Sequence, residues 1–301
     1  MTNPLPTILA GIDFTPASET ALIQAAHVAG WSRARLEAVH VIELFSLAQL
    51  KDTFQVAMTG THKALVEDAH RRWSAFSAGI SAASSVTFQS RVDETVAGLV
   101  RAARETSAQL LVLGSESDGR NERIGPVASG CAQRSPCDVL LVRHPHAYPY
   151  SGVLACIDFS PTSTRVLEQA IRFAVADNAA LYIAHAYAAP WRRRNPDGHG
   201  LDADFQHAYE RELLEKLKEF CSPFEHELCC VKPIYRVVGH QRAARGLALL
   251  AGELHAELVV IGTRGHGNVH DLLLGSTAER VLGLAQCSVL AVKPPKERAD
   301  P

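Results

Sequence analysis

The sequence predicts an α/β fold built from two repeated domains, each an open, doubly wound parallel sheet. Two observations carry this prediction: the chain repeats itself at an offset of about 145 residues, and short apolar runs alternate with helical patterns in each half. Most of these runs lack strict polar–apolar alternation, which is typical of strands covered by helices on both faces. Such strand–helix alternation favours an open parallel sheet.

The repeat is clearest at the beginning and the end of each half. Residues 9–16 (LAGIDFTP) recur as residues 154–161 (LACIDFSP), and residues 137–142 (CDVLLV) recur as residues 287–292 (CSVLAV). This period is too long for a solenoid repeat, so it indicates a duplicated domain.

The duplication sets the predicted domain limits. The first domain spans residues 1–144 and the second spans residues 151–295, with residues 145–150 as a proline-containing linker. A length of 301 residues agrees with about two domains.

Each half contains five predicted strands. In the first half they span Thr7–Ile12, Arg35–Val41, Val86–Val92, Leu110–Gly114 and Val139–Val142. In the second half they span Gly152–Ile157, Ala180–Ala186, Cys229–Val237, Leu258–Gly262 and Val289–Val292.

The sequence also predicts where some helices begin and which helix faces are buried. Thr15-Pro16 and Ser160-Pro161 each place a good N-cap residue before a proline at the favoured first helical position. Three- and four-residue spacing predicts two further helices with buried stripes. Their members are Leu65, Ala69, Trp73 and Phe76 in the first half, and Phe205, Tyr209, Leu213 and Leu217 in the second.

Composition excludes several classes of protein. A net charge of -2 gives no attraction to nucleic acid or to an anionic membrane, and no apolar run reaches the ~18–20 residues of a membrane span. The N-terminal residues lack the pattern of a secretion signal. The seven cysteines, an odd number in apolar segments, suit reduced thiols, so we expect a cytoplasmic protein.

The second half carries the parts of an anion site. An apolar run, residues 258–261, is followed by Gly262, Gly265 and then Gly275-Ser276, where a helix is predicted to begin. Glycines allow close approach of the backbone to a ligand, and a helix start offers unpaired N–H groups to a phosphate. No Gly-x4-Gly-Lys-(Ser/Thr) motif is present, so this is not a P-loop.

With these motifs, the chain resembles a tandem universal stress protein. The family's nucleotide-binding members carry Gly-x2-Gly-x9-Gly-(Ser/Thr), and the four residues just named reproduce that spacing. Asp158-Phe159-Ser160 after the first strand, His185 closing the second strand and Val237-Val238-Gly239 also match. The resemblance covers nearly the whole chain, once per half, and implies a Rossmann-like fold of the adenine nucleotide alpha hydrolase type.

The resemblance implies that the second domain binds ATP, or else ADP or AMP, with or without Mg²⁺. The residues implied in contact with the nucleotide are Asp158, Ala186, Ile261, Gly262, Arg264, Gly265, Gly275, Ser276 and Thr277. Asp158 and Ala186 would meet the adenine, and residues 261–262 would pass beneath the ribose. Residues 264–265 and residues 275–277 would approach the phosphates.

The first half departs from this pattern. Its loop from Gly114 to Gly125 is two residues shorter, Ser117 stands for Gly265, Glu116 stands for Arg264, and Asp118 adds a further negative charge. Pro126 stands for Ser276 and removes a hydroxyl and a backbone donor together. We therefore expect the first domain to keep the fold without binding ATP in this loop.

Simpler interpretations stay open for these residues. The glycines could merely end a strand and open a helix, and Asp158 could be a turn residue that bonds its own backbone. His40 and His185 recur in both halves and are interpreted as packing residues at strand ends.

A metal site is not predicted. His266 and His270 have a ligand-like spacing, but they are a single pair. Cys229 and Cys230 fall in a predicted strand, where neighbouring side chains would point to opposite faces.

These residues and the resemblance suggest three functions. The first is a regulatory nucleotide-binding protein of the stress response, with no assigned catalytic residue. The second is slow ATP hydrolysis at the same site, with Asp158 holding a cation and His266 or His270 assisting a water. The third is a nucleotide-free interaction module, in which the last strands, Val139–Val142 and Val289–Val292, pair the two halves of one chain or the chain forms a homodimer.

Overall fold

The protein is described by a computed structural model that covers residues 7–43, 58–115, 125–145, 148–188, 203–265 and 274–295. These residues divide into two compact units, one ending at Tyr148 and the other beginning at Pro149. Each unit is a parallel sheet with helices between its strands, which confirms the predicted α/β fold. None of the described helices is long and apolar enough to cross a membrane.

The first unit follows a strand–helix order. Its elements are β1 (Thr7–Gly11), α1 (Pro16–Ser32), β2 (Arg35–Glu43), α2 (Met58–Ser77), a 3₁₀ turn (Ser81–Ser85), β3 (Thr87–Asp93), α3 (Thr95–Glu105), β4 (Leu110–Ser115), α4 (Pro126–Arg134) and β5 (Asp138–Arg143). The strand order across the sheet is β3-β2-β1-β4-β5, with parallel pairing throughout.

The second unit repeats this arrangement. Its elements are β6 (Gly152–Cys156), α5 (Pro161–Asp177), β7 (Ala180–Tyr187), α6 (Ala203–Cys221), a 3₁₀ turn (Ser222–Phe224), α7 (Glu225–Leu228), β8 (Ile234–Gly239), α8 (Ala243–Glu253), β9 (Leu258–Gly262), α9 (Ser276–Leu284) and β10 (Ser288–Val292). The order is β10-β9-β6-β7-β8, again all parallel. In both units the first strand lies at the centre, and every residue of β1 and β6 is buried.

Most strands agree with the sequence prediction to within two residues at either end, but β8 does not. The predicted strand began at Cys229, whereas β8 begins at Ile234. Cys229 instead caps the short helix α7, and the chain then turns at Lys232, whose φ of 45° is left-handed. Pro233 follows and has no N–H to give to a strand ladder. The interpretation of Cys229 and Cys230 as strand neighbours is therefore wrong.

The predicted helical stripes differ in how well they are buried. In α2, Ala69 is buried and Trp73 is half-buried, with its ring stacked 4.6 Å from that of Phe88 on β3. In α6, Leu217 is fully buried, but Phe205 is 49% exposed. The prediction of a buried face is thus wrong for Phe205, which lies in the first turn of its helix.

Tyr150 belongs to the second unit, although the sequence placed it in the linker. Its side chain is 1% exposed, and its ring lies 6.2 Å from that of Phe173 in α5. Its backbone N–H donates to Asp177 Oδ2 at 2.9 Å. The packing of the second unit therefore begins before β6.

Candidate functional site

A cavity of about 370 Å³ opens at the carboxyl ends of β6, β7 and β9 in the second unit. The chain leaves β6 towards β7 on one side and later returns to β9 on the other side, so the strand order reverses between β6 and β9. Doubly wound sheets bind their ligands at this reversal. The volume lies within the range of small-molecule sites.

The nine residues that the resemblance singled out all line this one cavity. They are Asp158, Ala186, Ile261, Gly262, Arg264, Gly265, Gly275, Ser276 and Thr277. Their contact with a nucleotide stays a prediction.

The sequence motifs did not predict five further residues that line the cavity: Cys156, Ile157, Ala243, Leu247 and Ala278. The first two directly precede Asp158, and the last follows Thr277, so their positions beside motif residues could have indicated them. Ala243 and Leu247 lie on α8, and only the rule that ligands bind where the strand order reverses points to that helix.

The start of α9 presents backbone donors to the cavity. Gly275 is the N-cap residue and no side chain caps the helix, while the first intrahelical hydrogen bond joins the Glu279 N–H to the Gly275 carbonyl oxygen at 2.9 Å. The N–H groups of Ser276, Thr277 and Ala278 precede that bond, and these residues line the cavity. N–H groups at a helix start have no intrahelical acceptor and carry the positive end of the helix dipole, which suits an anion.

The two ends of the glycine loop are fixed to each other and to the sheet. The Gly275 N–H donates to the Thr263 carbonyl oxygen at 2.9 Å. The backbone N–H and the hydroxyl of Thr263 both donate to the carbonyl oxygen of Val292, at 2.8 and 3.1 Å. Residues 266–273, which include His266 and His270, lie outside the described residues. The described part of the loop therefore has a defined position beside the cavity.

The three glycines of the motif have different surroundings. A Cβ on Gly265 would lie 2.5 Å from Asp158 Oδ2, and a Cβ on Gly275 would lie 3.3 Å from the Thr263 carbonyl oxygen. A Cβ on Gly262 would instead lie 2.9 Å from Thr162 Cγ2 on α5. Gly262 therefore has a packing role between sheet and helix, whereas Gly265 allows the loop to approach a carboxylate of the site.

Asp158 combines a turn role with a position in the cavity. Its Oδ1 accepts hydrogen bonds from the Ser160 N–H at 2.9 Å and from the Ser163 hydroxyl at 2.7 Å. The interpretation as a turn residue therefore fits Oδ1. The other oxygen, Oδ2, faces Gly265, so one carboxylate serves both the turn and the cavity wall.

Asp13, the counterpart of Asp158 in the first unit, makes a similar turn. Its Oδ1 accepts from the Thr15 N–H at 3.1 Å and from the Thr15 hydroxyl at 2.6 Å. Partial burial alone would raise the pKa of Asp13, but these hydrogen bonds, with a further one from Ser18, outweigh it and hold the pKa below its usual value. The aspartate is thus a structural element of both units.

His40 and His185 occupy equivalent packing positions. Nδ1 of His40 lies 2.7 Å from the Ile12 carbonyl oxygen, and Nδ1 of His185 lies 2.8 Å from the Ile157 carbonyl oxygen, so each Nδ1 donates. Neither histidine lines the described cavity. This geometry agrees with their interpretation as packing residues at strand ends.

One end of the cavity is apolar and the other is polar. Cys156, Ala186, Ala243, Leu247 and Ile261 form the apolar wall. Burial raises the pKa of the Cys156 thiol well above its usual value, so this side chain stays neutral at physiological pH.

The polar end holds the charged side chains of the cavity. Among the lining residues, half-buried Arg264 supplies the cation and exposed Asp158 supplies the anion. Together with the start of α9, Arg264 makes this end suited to a negatively charged group.

In the first unit, two leucine side chains pack over Gly11, the residue that corresponds to Cys156. Leu113 pairs with Gly11 across β4 and β1, as Ile261 pairs with Cys156 across β9 and β6. A Cβ on Gly11 would lie 2.5 Å from Leu113 Cδ2 and 3.1 Å from Leu99 Cδ2. Both leucines thus lean over the glycine, where Cys156 in the second unit borders open space.

The corresponding positions of β2 and α3 carry larger side chains than those of β7 and α8. Val41 stands where the second unit has Ala186, and its methyl groups pack on Gly98 of α3. Thr95, the first residue of α3, donates its hydroxyl hydrogen to Glu43 Oε1 at 2.6 Å, whereas α8 begins with Ala243.

The start of α4 lacks the donors found at the start of α9. Gly125 is the N-cap and Pro126 is the first helical residue, so the N–H corresponding to that of Ser276 is missing. Glu116, Ser117 and Asp118, whose sequence departs from that of the glycine loop, lie outside the described residues. Gly114 keeps the packing role of Gly262, because a Cβ there would overlap the Ala17 carbonyl of α1.

Comparisons with known proteins agree with the duplication. The sequence profile of the universal stress protein family matches residues 5–143 and again residues 149–293. The chain is 32% identical over 149 residues to Universal stress protein A homolog 1 of Coxiella burnetii, covering 48% of this chain and 96% of that protein. It is 27% identical over 302 residues to Universal stress protein Rv2623 of Mycobacterium tuberculosis, covering 95% of this chain and 96% of that protein.

A solved structure shows the same fold over both halves. The crystal structure of a universal stress protein from Archaeoglobus fulgidus matches with a TM-score of 0.64, covering 96% of this chain and 98% of that chain. The identity is 18%, so the match speaks for the fold alone.

Proposed function

Because the chain belongs to the universal stress protein family, with one family domain in each half, we propose that its second domain binds ATP or another adenine nucleotide and thereby acts in regulation of the stress response. The observation that carries the proposal is the cavity at the reversal of strand order, where nine motif residues meet the uncapped start of α9. An anion at that helix start and a flat base against the apolar wall would use both ends of the cavity.

The donor set fits a nucleotide. The N–H groups of Ser276, Thr277 and Ala278 and the hydroxyls of the first two would bind phosphate oxygens, and Arg264 would balance part of the phosphate charge. Ala186, Leu247 and Ile261 would contact the base and ribose. Asp158 Oδ2, which faces Gly265, would accept a hydrogen bond from the ligand or hold a Mg²⁺ ion that accompanies the phosphates.

We propose binding rather than turnover as the main activity. Asp158 is the one carboxylate among the lining residues, and its Oδ1 already holds the turn before α5. Phosphoryl transfer needs a positioned nucleophile in addition to charge neutralisation. The two histidines considered for slow hydrolysis lie outside the described residues, so no observed geometry favours that alternative.

We propose that the first domain does not share this function. Leu113 and Leu99 pack over Gly11, Val41 is larger than its counterpart Ala186, and Pro126 removes a donor from the phosphate end. Both ends of the equivalent cleft are therefore unsuited to a nucleotide.

Titration calorimetry with ATP and Mg²⁺ tests the proposal. We expect one nucleotide per chain, and Ser276→Pro should bind roughly 10- to 100-fold more weakly, because it removes a helix N–H and a hydroxyl that would bond a charged phosphate. Proline is compatible with the first position of a helix, and Pro126 occupies that position in α4, so the variant should fold. An unchanged melting temperature without nucleotide would verify this.

The matched control is Pro126→Ser in the first domain. It restores the missing donor, but the leucines packed over Gly11 and the larger Val41 should keep the stoichiometry at one nucleotide. Two nucleotides per wild-type chain would contradict the assignment of the first domain. Absence of binding at millimolar nucleotide would contradict the proposal and favour the nucleotide-free interaction module.

Pairing of the two domains through their last strands, and assembly into a homodimer, stay predictions from the sequence. Light scattering would measure a mass near 32.6 kDa for a single chain and near twice that value for a homodimer.

A further inference from the structure

Two adjacent exposed cysteines form a cluster that the proposed nucleotide site does not use. Cys229 and Cys230 follow α7, and their sulfur atoms lie 3.9 Å apart. The other five cysteines of the chain are buried. The two exposed thiols therefore form a dithiol pair on the same side of one turn.

The turn holds the pair in place. The Cys229 thiol donates to the His226 carbonyl oxygen at 2.9 Å, which fixes the direction of that side chain. Lys232, with its left-handed φ of 45°, and then Pro233 end the turn before β8 begins. Neither cysteine lines the cavity of the second unit.

The sulfur separation decides between two kinds of two-thiol chemistry. Neighbouring Cα atoms are about 3.8 Å apart, below the roughly 4.4–6.8 Å that a relaxed disulfide spans, so a bond between these two sulfurs would be strained. A single centre with sulfur bonds of about 2.3 Å, the length of a zinc–thiolate bond, can bind both sulfurs only when they lie within about 4.6 Å of each other, twice that length. The observed distance therefore suits one bridging atom.

The number of nearby ligands identifies the class of that atom. Structural zinc takes four protein ligands, and the described residues contain no group of three or more His, Cys, Asp or Glu side chains able to hold a metal ion. A centre that needs only two thiols fits the pair. Thiolates are soft ligands and select soft, thiophilic centres.

We propose that Cys229 and Cys230 form a dithiol site for trivalent arsenicals and similar two-thiol thiophiles. With an organic arsenoxide, both S–H bonds and the arsenic–oxygen bond break, and two arsenic–sulfur bonds form. The two thiol protons leave with the oxide oxygen as one water molecule. Arsenic stays trivalent, so no oxidant or reductant takes part.

Intact mass spectrometry of the reduced full chain with equimolar phenylarsine oxide tests this proposal. We expect one adduct per chain, with a mass gain equal to the reagent less one water. A dithiol such as dimercaptopropanol should release it, whereas a monothiol at the same thiol concentration should not. Cys229→Ser and Cys230→Ser should each bind roughly 100- to 10,000-fold more weakly, because the second bond of a chelate forms intramolecularly.

His226→Ala is the matched control. It keeps the backbone carbonyl that accepts from Cys229, so its affinity for the arsenical should equal that of the wild-type chain. Both serine positions are exposed, and unchanged melting curves would show that the variants fold. Retention of the adduct in Cys230→Ser, release by a monothiol, or no adduct on the wild-type chain would each overturn the proposal.

Discussion

At the scale of single residues, the two halves preserve a cluster that the nucleotide motif does not include. Phe14 and Phe159 both have left-handed backbones, with φ of 65° and 63°. The ring of His40 lies 4.6 Å from that of Phe14, and the ring of His185 lies 4.5 Å from that of Phe159. A bulky residue with positive φ is an outlier, so its recurrence indicates that tertiary packing imposes the turn.

A basic side chain covers each phenylalanine. Arg72 Cζ lies 4.3 Å from the centre of the Phe14 ring, and Lys216 Nζ lies 4.6 Å from that of Phe159. Both basic residues come from the long helix that follows the second strand of the unit, α2 or α6. The sequence showed the repeated Asp-Phe and the repeated histidine, but this contact between α2 or α6 and the turn became visible only in the folded chain.

We predict that the Arg72 charge lowers the pKa of His40. Burial lowers this pKa below the usual value of 6.5, the Ile12 carbonyl raises it, and Arg72 lowers it further. Arg72→Gln should therefore raise the midpoint of the His40 titration, followed by NMR of its ring proton. Arg71→Gln is the control, because Arg71 pairs with Asp68 on an exposed face and should leave the midpoint unchanged.

The same shift links the stability of the first domain to pH. The unfolded chain titrates this histidine near 6.5 and the folded domain titrates it lower, so the unfolded state binds more protons as the pH falls. The His40 contribution is complete above about pH 6.5 and is lost as the pH falls through the folded value. An equal change of the His40 titration midpoint in Arg72→Gln and Arg71→Gln would contradict the role of Arg72.

At the scale of elements, the two helices that follow the first strands begin differently. Thr15 caps α1, since its hydroxyl oxygen accepts from the Ser18 N–H at 3.3 Å. Ser160 has the N-cap position of α5 but makes no side-chain cap bond, and its buried hydroxyl has no hydrogen-bond partner. The sequence predicted both caps, and the prediction is wrong for the Ser160 side chain. The hydroxyl of Ser163, rather than that of Ser160, makes a side-chain hydrogen bond at this turn, since it donates to Asp158 Oδ1.

We predict opposite results for two alanine variants. Thr15→Ala should lower the free energy of unfolding of the first domain by about 1 kcal/mol, the usual cost of losing an N-cap. Ser160→Ala should leave that of the second domain unchanged or raise it, because an unpaired buried hydroxyl costs about 1–3 kcal/mol. Chemical denaturation of the two variants measures both values. A loss of more than about 1 kcal/mol for Ser160→Ala would contradict the assignment.

Sequence patterns predicted the limits of most strands better than they predicted the turns and contacts around individual residues. Apolar runs located the ends of β9 and β6 to within one residue, because buried parallel strands are apolar along their length. Cys229-Cys230-Val231 has the same local character and was placed in a strand, although the turn at Lys232 and Pro233 separates it from β8. Local composition cannot reveal such a turn.

The packing of side chains over Gly11 in the first domain was also beyond the sequence. Leu113 and Ile261 are similar aliphatic residues at the same position of β4 and β9. What differs is the facing residue, Gly11 or Cys156, and whether a neighbouring side chain lies over it. Loop charge and Pro126 predict loss of binding from the sequence, and the structure adds that Leu99 and Leu113 pack over Gly11.

At the scale of the whole molecule, duplication has left two units with one topology and different clefts. Each unit has its own five strands and its own buried core, so we expect each to unfold as its own cooperative step. A ligand that binds one folded domain stabilises that step alone.

We predict that ATP with Mg²⁺ raises one of two thermal transitions and leaves the other unchanged. At a nucleotide concentration of about 100 times Kd, the stabilisation of the second domain should be about 2.7 kcal/mol. Scanning calorimetry of the wild-type chain measures both transitions, and Ser276→Pro should remove most of the shift. A single transition, or equal shifts of both, would contradict independent domains with one binding site.

The close contact of Gly114 with α1 bears on how related chains are sorted by motif. The first domain needs a glycine at position 114 because a Cβ there would overlap the Ala17 backbone. Sheet–helix packing alone is therefore enough to require glycine at this position, independently of any ligand. A genome survey that uses this glycine as its criterion for nucleotide binding would therefore classify both domains of a tandem chain as nucleotide-binding. Scoring the position of Ser276 and Pro126 together with the residue facing Leu113 or Ile261 would separate them.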